Sequence, residues 1–261
     1  MVSNPKRLVR TGMDGKPFRC PFCNGNEADT PPEVYRVGPG DADKPGWEIR
    51  VVPNLFPITD VHEVVVHSPD HEKNIEDFSL SHVENIVKTY VSRFNFLKSQ
   101  GKVFIFSNQS LASGASLVHP HSQISVVPQD IPTNTIALQP ALNIIEQNDS
   151  FVSYCPTYSE WSYEVWIKAL GQIKFEELKN EEISKFAGIL QPAIKKLKKI
   201  HGANPHYSKK PFGYNFYIYP YSEWYLRIIP RFMERAGFEM STGIMVNSVD
   251  PKQASEDLKN A

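Results

Sequence analysis

Two long segments of the chain, residues 80–99 and 181–200, carry apolar side chains at the spacing of an amphipathic helix. In the first segment the following residues share one helix face: Val83, Ile86, Val87, Tyr90, Val91, Phe94 and Leu97. Ser79 or Ser81 can cap its start, and Gly101 lies near its end. The sequence therefore predicts two helices, each of which must bury one face against another layer of structure.

Short runs of β-branched and aromatic residues around these segments predict strands. In the first half the runs are 47–57, which breaks at Pro53, then 63–67, 102–107 and 119–127. In the second half they are 163–169, 213–219 and 224–230. The order strand, helix, strand, strand thus occurs twice, although a chance run of common elements is the alternative to a duplication. We expect an α+β fold, an antiparallel sheet flanked by helices, with duplicated halves at residues 1–130 and 131–261.

The composition limits the classes of partner. The net charge is -1, so no global electrostatic attraction favours a nucleic acid or a membrane surface. No apolar run is long enough to span a membrane, and the first residues do not resemble a signal peptide. Three cysteines do not make a disulfide framework, and we expect a reducing, cytoplasmic location. A small anionic substrate would then need a local binding site.

Cys20 and Cys23 form a CxxC motif in a loop sequence rich in Asn and Gly. A tight turn can bring both thiolates to one metal ion, whereas a redox role would need the motif beside a parallel sheet. No second CxxC exists in the sequence, so the remaining ligands should be histidines. The cluster of His62, His67 and His71 offers three candidates that the residues alone do not separate.

His119 and His121 form an HxH pair around Pro120, after a loop of small residues that contains Gly114 and Ser116. On a strand the two imidazoles would share a face, and proline places that strand at an edge or at its start. Small loop residues let a phosphate approach backbone N–H groups. One imidazole can bind the metal while the other attacks a phosphoryl group, which gives a covalent intermediate and ping-pong kinetics.

Five motifs in order resemble the galactose-1-phosphate uridylyltransferase family of the histidine-triad-like superfamily. They are CPFCNGNE with TPPE (20–33), VVPNLFP (51–57), HEVVVHSPDH (62–71), FSNQ with SGASLVHPHSQI (106–124) and AGFEMSTGIMVN (236–247). The similarity runs over nearly the whole chain. It implies that both predicted halves are histidine-triad-like units, of which only the first carries the HPHSQ motif.

The resemblance implies roles for individual residues. The zinc ligands of the family match Cys20, Cys23, His71 and His119. The nucleophile matches His121, and the glutamine that hydrogen-bonds the transferred phosphate matches Gln123. Substrate contacts of the family match Asn54, Asn108, Ser116 and, for the sugar hydroxyls, Glu239. We expect one structural Zn²⁺ and no second metal, because residues 211–231 lack the further histidines that many family members carry.

The resemblance also implies partners and activity. A nucleotide sugar and a sugar 1-phosphate, or inorganic phosphate as acceptor, are the expected substrates, and a homodimer is a possible assembly. Transfer of uridylyl between UDP-glucose and a hexose 1-phosphate is the first hypothesis. Phosphorolysis of an ADP-sugar or of a dinucleoside polyphosphate through His121 is the second, and a zinc-stabilised nucleotide-binding module without catalysis is the third.

Overall fold

A computed structural model describes residues 19–133, 136–221 and 223–261. Within these residues ten strands form a single sheet in which every neighbouring pair is antiparallel. The first five strands are β1 (Tyr35–Val37), β2 (Ile49–Pro53), β3 (Val61–Val66), β4 (Lys102–Gln109) and β5 (His121–Val127). The last five are β6 (Asn143–Gln147), β7 (Phe151–Cys155), β8 (Val165–Ala169), β9 (Tyr214–Tyr219) and β10 (Tyr225–Pro230).

The strand order is β1-β2-β3-β5-β4-β9-β10-β8-β7-β6. The first five strands therefore occupy one side of the sheet and the last five the other, and β4 pairs with β9 at the junction. In each half the long helix comes between the third and fourth strands: α1 (Leu80–Leu97) in the first and α2 (Asn180–Ala203) in the second. Two short helices follow at the end of the chain, α3 (Gly237–Thr242) and α4 (Pro251–Asn260).

The main core lies between the sheet and the long helices. Alternate residues along the strands point to this side, as in Val103 and Ile105 of β4 and Ile124 and Val126 of β5. Both helices contribute apolar residues at the predicted spacing, and Ser79 caps α1 by accepting a hydrogen bond from the His82 N–H. The opposite face of the sheet carries two smaller buried clusters, one in each half.

The predicted α+β class with an antiparallel sheet and flanking helices is confirmed. Each helix and strand named in the prediction is present, with small differences at the ends. Strands β1, β6 and β7 and helices α3 and α4 were not predicted, because they are short or lie in stretches without a clear period. The division at residue 130 stays a prediction, and residues 1–18 of its first half lie outside the described part of the chain.

The strand of the HxH motif begins two residues later than predicted. β5 starts at His121, because Pro120 has no N–H to donate to the ladder, and the Pro120 carbonyl instead accepts from the His67 N–H at 3.1 Å. Of the two positions that proline allowed, the start of a strand is correct and the edge is not, since β5 lies between β3 and β4. His119 therefore lies before the strand, in a segment free to turn towards the CxxC loop.

Candidate functional site

Two cysteines and two histidines converge beside the N-terminal end of β5. Cys20, Cys23, His71 and His119 each place one ligand atom so that all four atoms lie within 4.8 Å of one another. Backbone hydrogen bonds from Cys23 N to Cys20 O and from Asn26 N to Cys23 O form the tight turns that bring the two sulfurs together. Four donor atoms around one point are arranged to bind a single metal ion.

The structure separates the three histidines that the sequence left open. His71 places its Nδ1 3.2 Å from the Cys23 Sγ and 3.3 Å from the His119 Nδ1. His62 lies in β3 and His67 directly follows that strand, and neither belongs to this cluster. His119 donates from Nε2 to the Ser68 carbonyl at 2.9 Å, which leaves its Nδ1 as the ligand atom. Residues 68 to 71 thus supply one candidate ligand, His71, and orient a second, His119.

The surroundings of the cluster disfavour isolated charge. Burial raises the pKa of the Cys20 thiol to about 11 and lowers the pKa of His119 to about 4. Thiolates that are disfavoured by burial become stable when a cation binds them, and neutral imidazole is the form that coordinates a metal. The donor set and its burial therefore fit a metal site that releases protons as it fills.

His121, the first residue of β5, has one ring nitrogen fixed by the backbone. Its Nδ1 donates to the His119 carbonyl oxygen at 2.8 Å. The neutral ring then carries no proton on Nε2, so this nitrogen has a free lone pair. Burial lowers the pKa of His121, which favours the neutral form. Phe22, from the CxxC turn, packs on the imidazole at 5.4 Å between ring centroids and so joins this turn to the histidine.

His121 opens onto a cavity of about 610 Å³ on the face of the sheet opposite the long helices. This volume is in the range of ligand pockets. Six of the residues predicted for catalysis or substrate binding line it: Asn54, Asn108, Gly114, Ser116, His121 and Gln123. The structure thus brings together residues from the β2–β3 turn, β4, the loop before β5 and β5 itself.

Hydrogen bonds orient the amides that line the cavity. The Asn108 Oδ1 accepts from the Asn215 Nδ2 at 2.7 Å, so its NH₂ group is the part that can donate to a ligand. The Asn54 Oδ1 accepts from the Phe56 N–H at 2.9 Å, which directs its NH₂ group the other way. Both amides therefore offer donors, and donors are what an anionic phosphate requires.

The small-residue loop before β5 offers fewer backbone N–H groups to a ligand than the sequence suggested. The N–H groups of Ser113, Gly114 and Ala115 donate to carbonyls of Ser110 and Leu111 within the loop's own turns. Gly114 adopts a φ of +83°, a conformation that favours glycine. The loop thus lines the cavity, but these three N–H groups are used in shaping it and are not presented to a phosphate.

Glu239 does not line the cavity. It lies in α3, and its Oε2 accepts from the backbone N–H of Ala236 at 3.1 Å, which caps the start of that helix. Conversely, His62 of β3, which the sequence offered only as one of three candidate metal ligands, lines the cavity. Its Nε2 lies 3.0 Å from the Oε1 of Gln123. Strand alternation put His62 on the same face as Val64, but only the pairing of β3 with β5 shows that this face meets Gln123.

Comparison with known proteins confirms the predicted family resemblance, and the relatives with a named activity are enzymes that transfer nucleotidyl groups. Residues 57–127, which contain β3, α1, β4 and β5, match the family described as galactose-1-phosphate uridyl transferase, N-terminal domain. This range includes His71, His119, His121 and Gln123.

The relatives of this chain include proteins with two different named activities. ADP-glucose phosphorylase of Arabidopsis thaliana is 26% identical over 299 residues, which cover 94% of this chain and 82% of that protein. Galactose-1-phosphate uridylyltransferase of Thermotoga maritima is 26% identical over 238 residues, covering 76% of this chain and 73% of that protein. The crystal structure of an Arabidopsis thaliana ADP-glucose phosphorylase with bound ADP-glucose shares the fold, with a TM-score of 0.78 and 24% identity over 98% of this chain and 94% of that one.

In the described part of the chain, no helix has the length and apolar character that crossing a membrane requires.

Proposed function

We propose that the protein transfers a nucleoside monophosphate through a covalent intermediate on His121. The observation that carries this proposal is the tautomer of His121: Nδ1 donates to the His119 carbonyl, so the unprotonated Nε2 is available in a cavity lined by amide donors. In the first step Nε2 attacks the α-phosphorus of a nucleotide sugar, a N–P bond forms, and the P–O bond to the sugar phosphate breaks. In the second step an acceptor phosphate oxygen attacks the same phosphorus and the N–P bond breaks.

The Gln123 amide is placed to stabilise the transferred phosphate. Gln123 lies two residues after His121 on β5, so both side chains face the cavity. Negative charge moves onto the phosphoryl oxygens during each transfer, and a preorganised N–H donor stabilises that charge most in the transition state. Asn54, Asn108, Gly114 and Ser116 are proposed to contact the rest of the nucleotide sugar.

The proposed metal is one structural Zn²⁺. A tetrahedral ion with bond lengths typical of zinc separates sulfur from nitrogen ligands by about 3.6 Å and two nitrogens by about 3.3 Å. The His119 Nδ1 lies 3.6 Å from the Cys20 Sγ, 3.7 Å from the Cys23 Sγ and 3.3 Å from the His71 Nδ1. Four protein ligands leave no open position, so zinc would hold the CxxC turn against the segment that carries His121. Thiolate ligands of this kind also support the proposed cytoplasmic location.

Two donors are proposed, in order. The first is an ADP-sugar with inorganic phosphate as acceptor, because the relative named ADP-glucose phosphorylase aligns with 94% of this chain. The second is UDP-glucose with a hexose 1-phosphate, because the uridylyltransferase of the same identity aligns with 76% of it. This order reverses that of the sequence hypotheses, in which uridylyl transfer came first, while the chemistry at His121 is the same for both.

The homodimer is also a proposal. Glu239, predicted to contact sugar hydroxyls, caps α3 and does not line the cavity of its own chain. Exposed apolar side chains surround it on the same segment, namely Phe238, Met240, Ile244 and Val246. If Glu239 contacts the sugar, a second copy of the chain must supply it.

The test is the mass of the intact protein after incubation with ADP-glucose, UDP-glucose or a dinucleoside polyphosphate, each alone. We expect an increase of one nucleotidyl group with at least one donor, and the donor that gives it identifies the base. His121→Asn should give no adduct, whereas His206→Asn, a matched change at an exposed histidine, should react like the wild type. Adding inorganic phosphate or glucose 1-phosphate then shows which acceptor discharges the adduct. Absence of any adduct in folded protein would favour a non-catalytic nucleotide-binding module.

A further inference from the structure

His62 touches the Gln123 side chain at the wall of the cavity. It lies on β3, its own cross-strand partner on β5 is Ser125, and its ring leans diagonally towards Gln123. The side chain is buried, with 5% of its surface exposed. The Nε2 of His62 and the Oε1 of Gln123 are 3.0 Å apart, which is a hydrogen-bond distance. The role of this contact depends on which of the two groups donates.

The backbone decides the direction of this hydrogen bond. The N–H of Ile58 lies 3.1 Å from the Nδ1 of His62. A backbone N–H can only donate, so Nδ1 must accept and carries no proton. A neutral imidazole of this kind holds its proton on Nε2, which therefore donates to Gln123. The turn between β2 and β3 is closed further by the Asn54 N–H, which donates to the His62 carbonyl at 2.7 Å.

A donor at His62 selects one of the two orientations of the Gln123 amide. The amide oxygen must face His62, and the NH₂ group is then directed away from it. The flipped amide would set two donors against each other and would offer oxygen lone pairs to a phosphate. The NH₂ group of Asn54 lies 3.3 Å from the same Nε2, and two donors at that distance do not bond to each other. Asn54 therefore does not compete with Gln123 for the Nε2 proton of His62.

The geometry points to His62 as the positioning residue for Gln123: its Nε2–H holds the amide so that the NH₂ group donates to the phosphate transferred at His121. This inference rests on the proposed function. Its physical benefit is preorganisation, because an amide that is already oriented needs no reorganisation when charge develops on the phosphate. In this inference His62 acts on the transferred phosphate through Gln123.

A double-mutant cycle tests whether His62 acts through Gln123. His62→Leu should lower the rate of adduct formation at saturating donor by about 10- to 100-fold, less than the loss of a whole oxyanion donor. His62→Gln, which keeps an N–H donor, should recover part of that rate, and His206→Leu should leave it unchanged. In a Gln123→Ala background His62→Leu should have little further effect. The same loss in both backgrounds, or no loss in the wild-type background, would overturn the inference.

A second measurement does not depend on activity. In a ¹⁵N NMR spectrum of the histidine rings, His62 should show a proton on Nε2 and none on Nδ1. Gln123→Ala should shift the Nε2–H resonance, and His206→Leu should not. A proton on Nδ1 would overturn the inference even if the enzyme is active. If no donor forms an adduct, the proposed function fails, while the tautomer still decides whether His62 orients Gln123.

Melting temperatures of all variants accompany both experiments, because a variant that does not fold reports nothing about positioning. If His62→Leu is unstable, His62→Gln is used to test positioning, since it keeps a polar side chain at a buried position.

Discussion

The face of the sheet opposite the long helices differs between the two halves of the molecule. In the first half it carries the cavity, and in the second it carries a buried cluster of Val152, Tyr154, Trp166 and Tyr225. The strand registers show which residue of one half corresponds to which residue of the other. Gln123 pairs with Val64 on one side and Phe106 on the other, and Arg227 pairs with Trp166 and Tyr217. Phe106 and Tyr217 are themselves partners at the junction.

Equivalent positions carry different chemistry. Gln123 accepts from His62, and at the matching positions Arg227 donates to both oxygens of Glu164, at 2.7 and 2.9 Å. His121 corresponds to Tyr225, two residues before Arg227, and the Tyr225 ring stacks on Trp166 at 4.4 Å.

The two halves differ in how far side chains fill this face of the sheet and in the charge of those side chains. In the first half Val64 is small and leaves space above the strands. In the second half Trp166 holds the equivalent position and fills the corresponding space. A neutral amide fixed by a histidine can still bind an anion, whereas a guanidinium neutralised by a buried carboxylate has its donors already used. One frame thus supports an open polar site in one half and a stabilising cluster in the other.

The largest effect should come from the first residue of β5. His121→Ala removes the proposed nucleophile and should lower turnover at least about 1,000-fold, as losses of covalent nucleophiles do. Tyr225→Leu, at the equivalent position, should leave turnover within about twofold when both are assayed well below their melting temperatures. Equal losses of turnover would show that the two surfaces are not functionally distinct.

Removal of the proposed metal should destabilise the first half. A structural metal contributes directly to folding, so a strong chelator should lower the melting temperature by about 10 °C or more. Cys23→Ala should abolish this response, while Cys155→Ala, at a free cysteine of the second half, should keep it. Hydrogen exchange should increase first near residues 20–26 and 68–71. An unchanged melting curve would remove the metal from the account of the fold.

The buried ion pair of the second half should matter for stability and not for catalysis. Arg227 and Glu164 have only 4% and 1% of their surfaces exposed, so Arg227→Leu would leave an unpaired buried carboxylate. The expected loss is about 3–5 kcal/mol of unfolding free energy, measured by urea denaturation. The double change Arg227→Met and Glu164→Gln should recover most of it. A large loss of turnover at low temperature in the double variant would contradict the assignment.

The smallest effect should come from one hydrogen bond of the same cluster. The Tyr225 hydroxyl donates to the Ile136 carbonyl at 2.6 Å. Tyr225→Phe keeps the stacked ring and removes this bond, which should cost about 1 kcal/mol. Calorimetry should show a fall of a few degrees in the melting temperature with unchanged turnover. An unchanged melting temperature would indicate that a water molecule replaces the Tyr225 hydroxyl as partner of the Ile136 carbonyl with no loss of stability.

Local patterns in the sequence predicted a large part of this molecule. The helical spacing in residues 80–99 and 181–200 predicted α1 and α2, because amphipathic helices repeat their apolar residues over many turns. Strands β1, β6 and β7 were missed, because a strand of three to five residues has too few positions to show a period. Strands β9 and β10 were predicted from runs of aromatic and β-branched residues, and Tyr214, Phe216 and Tyr225 of these strands are buried.

Part of the candidate site was likewise predictable from local sequence patterns, and part was not. His121 and Gln123 are neighbours on one strand, so alternation alone places both at one surface. The candidate metal ligands lie far apart in sequence, and the choice of His71 rested on family resemblance until the structure placed it beside Cys23. His62 was missed, because its contact with Gln123 exists only through the pairing of β3 with β5.

By itself the sequence determined the helices, the main strands, the CxxC turn and the HPHSQ segment, because each follows from interactions between residues close in the chain. Only the tertiary structure decided which histidine lies beside the two cysteines, that His62 contacts Gln123 and why one half is open and the other filled. Those features depend on strand registers and on the volumes of side chains from separate strands, which local patterns do not encode.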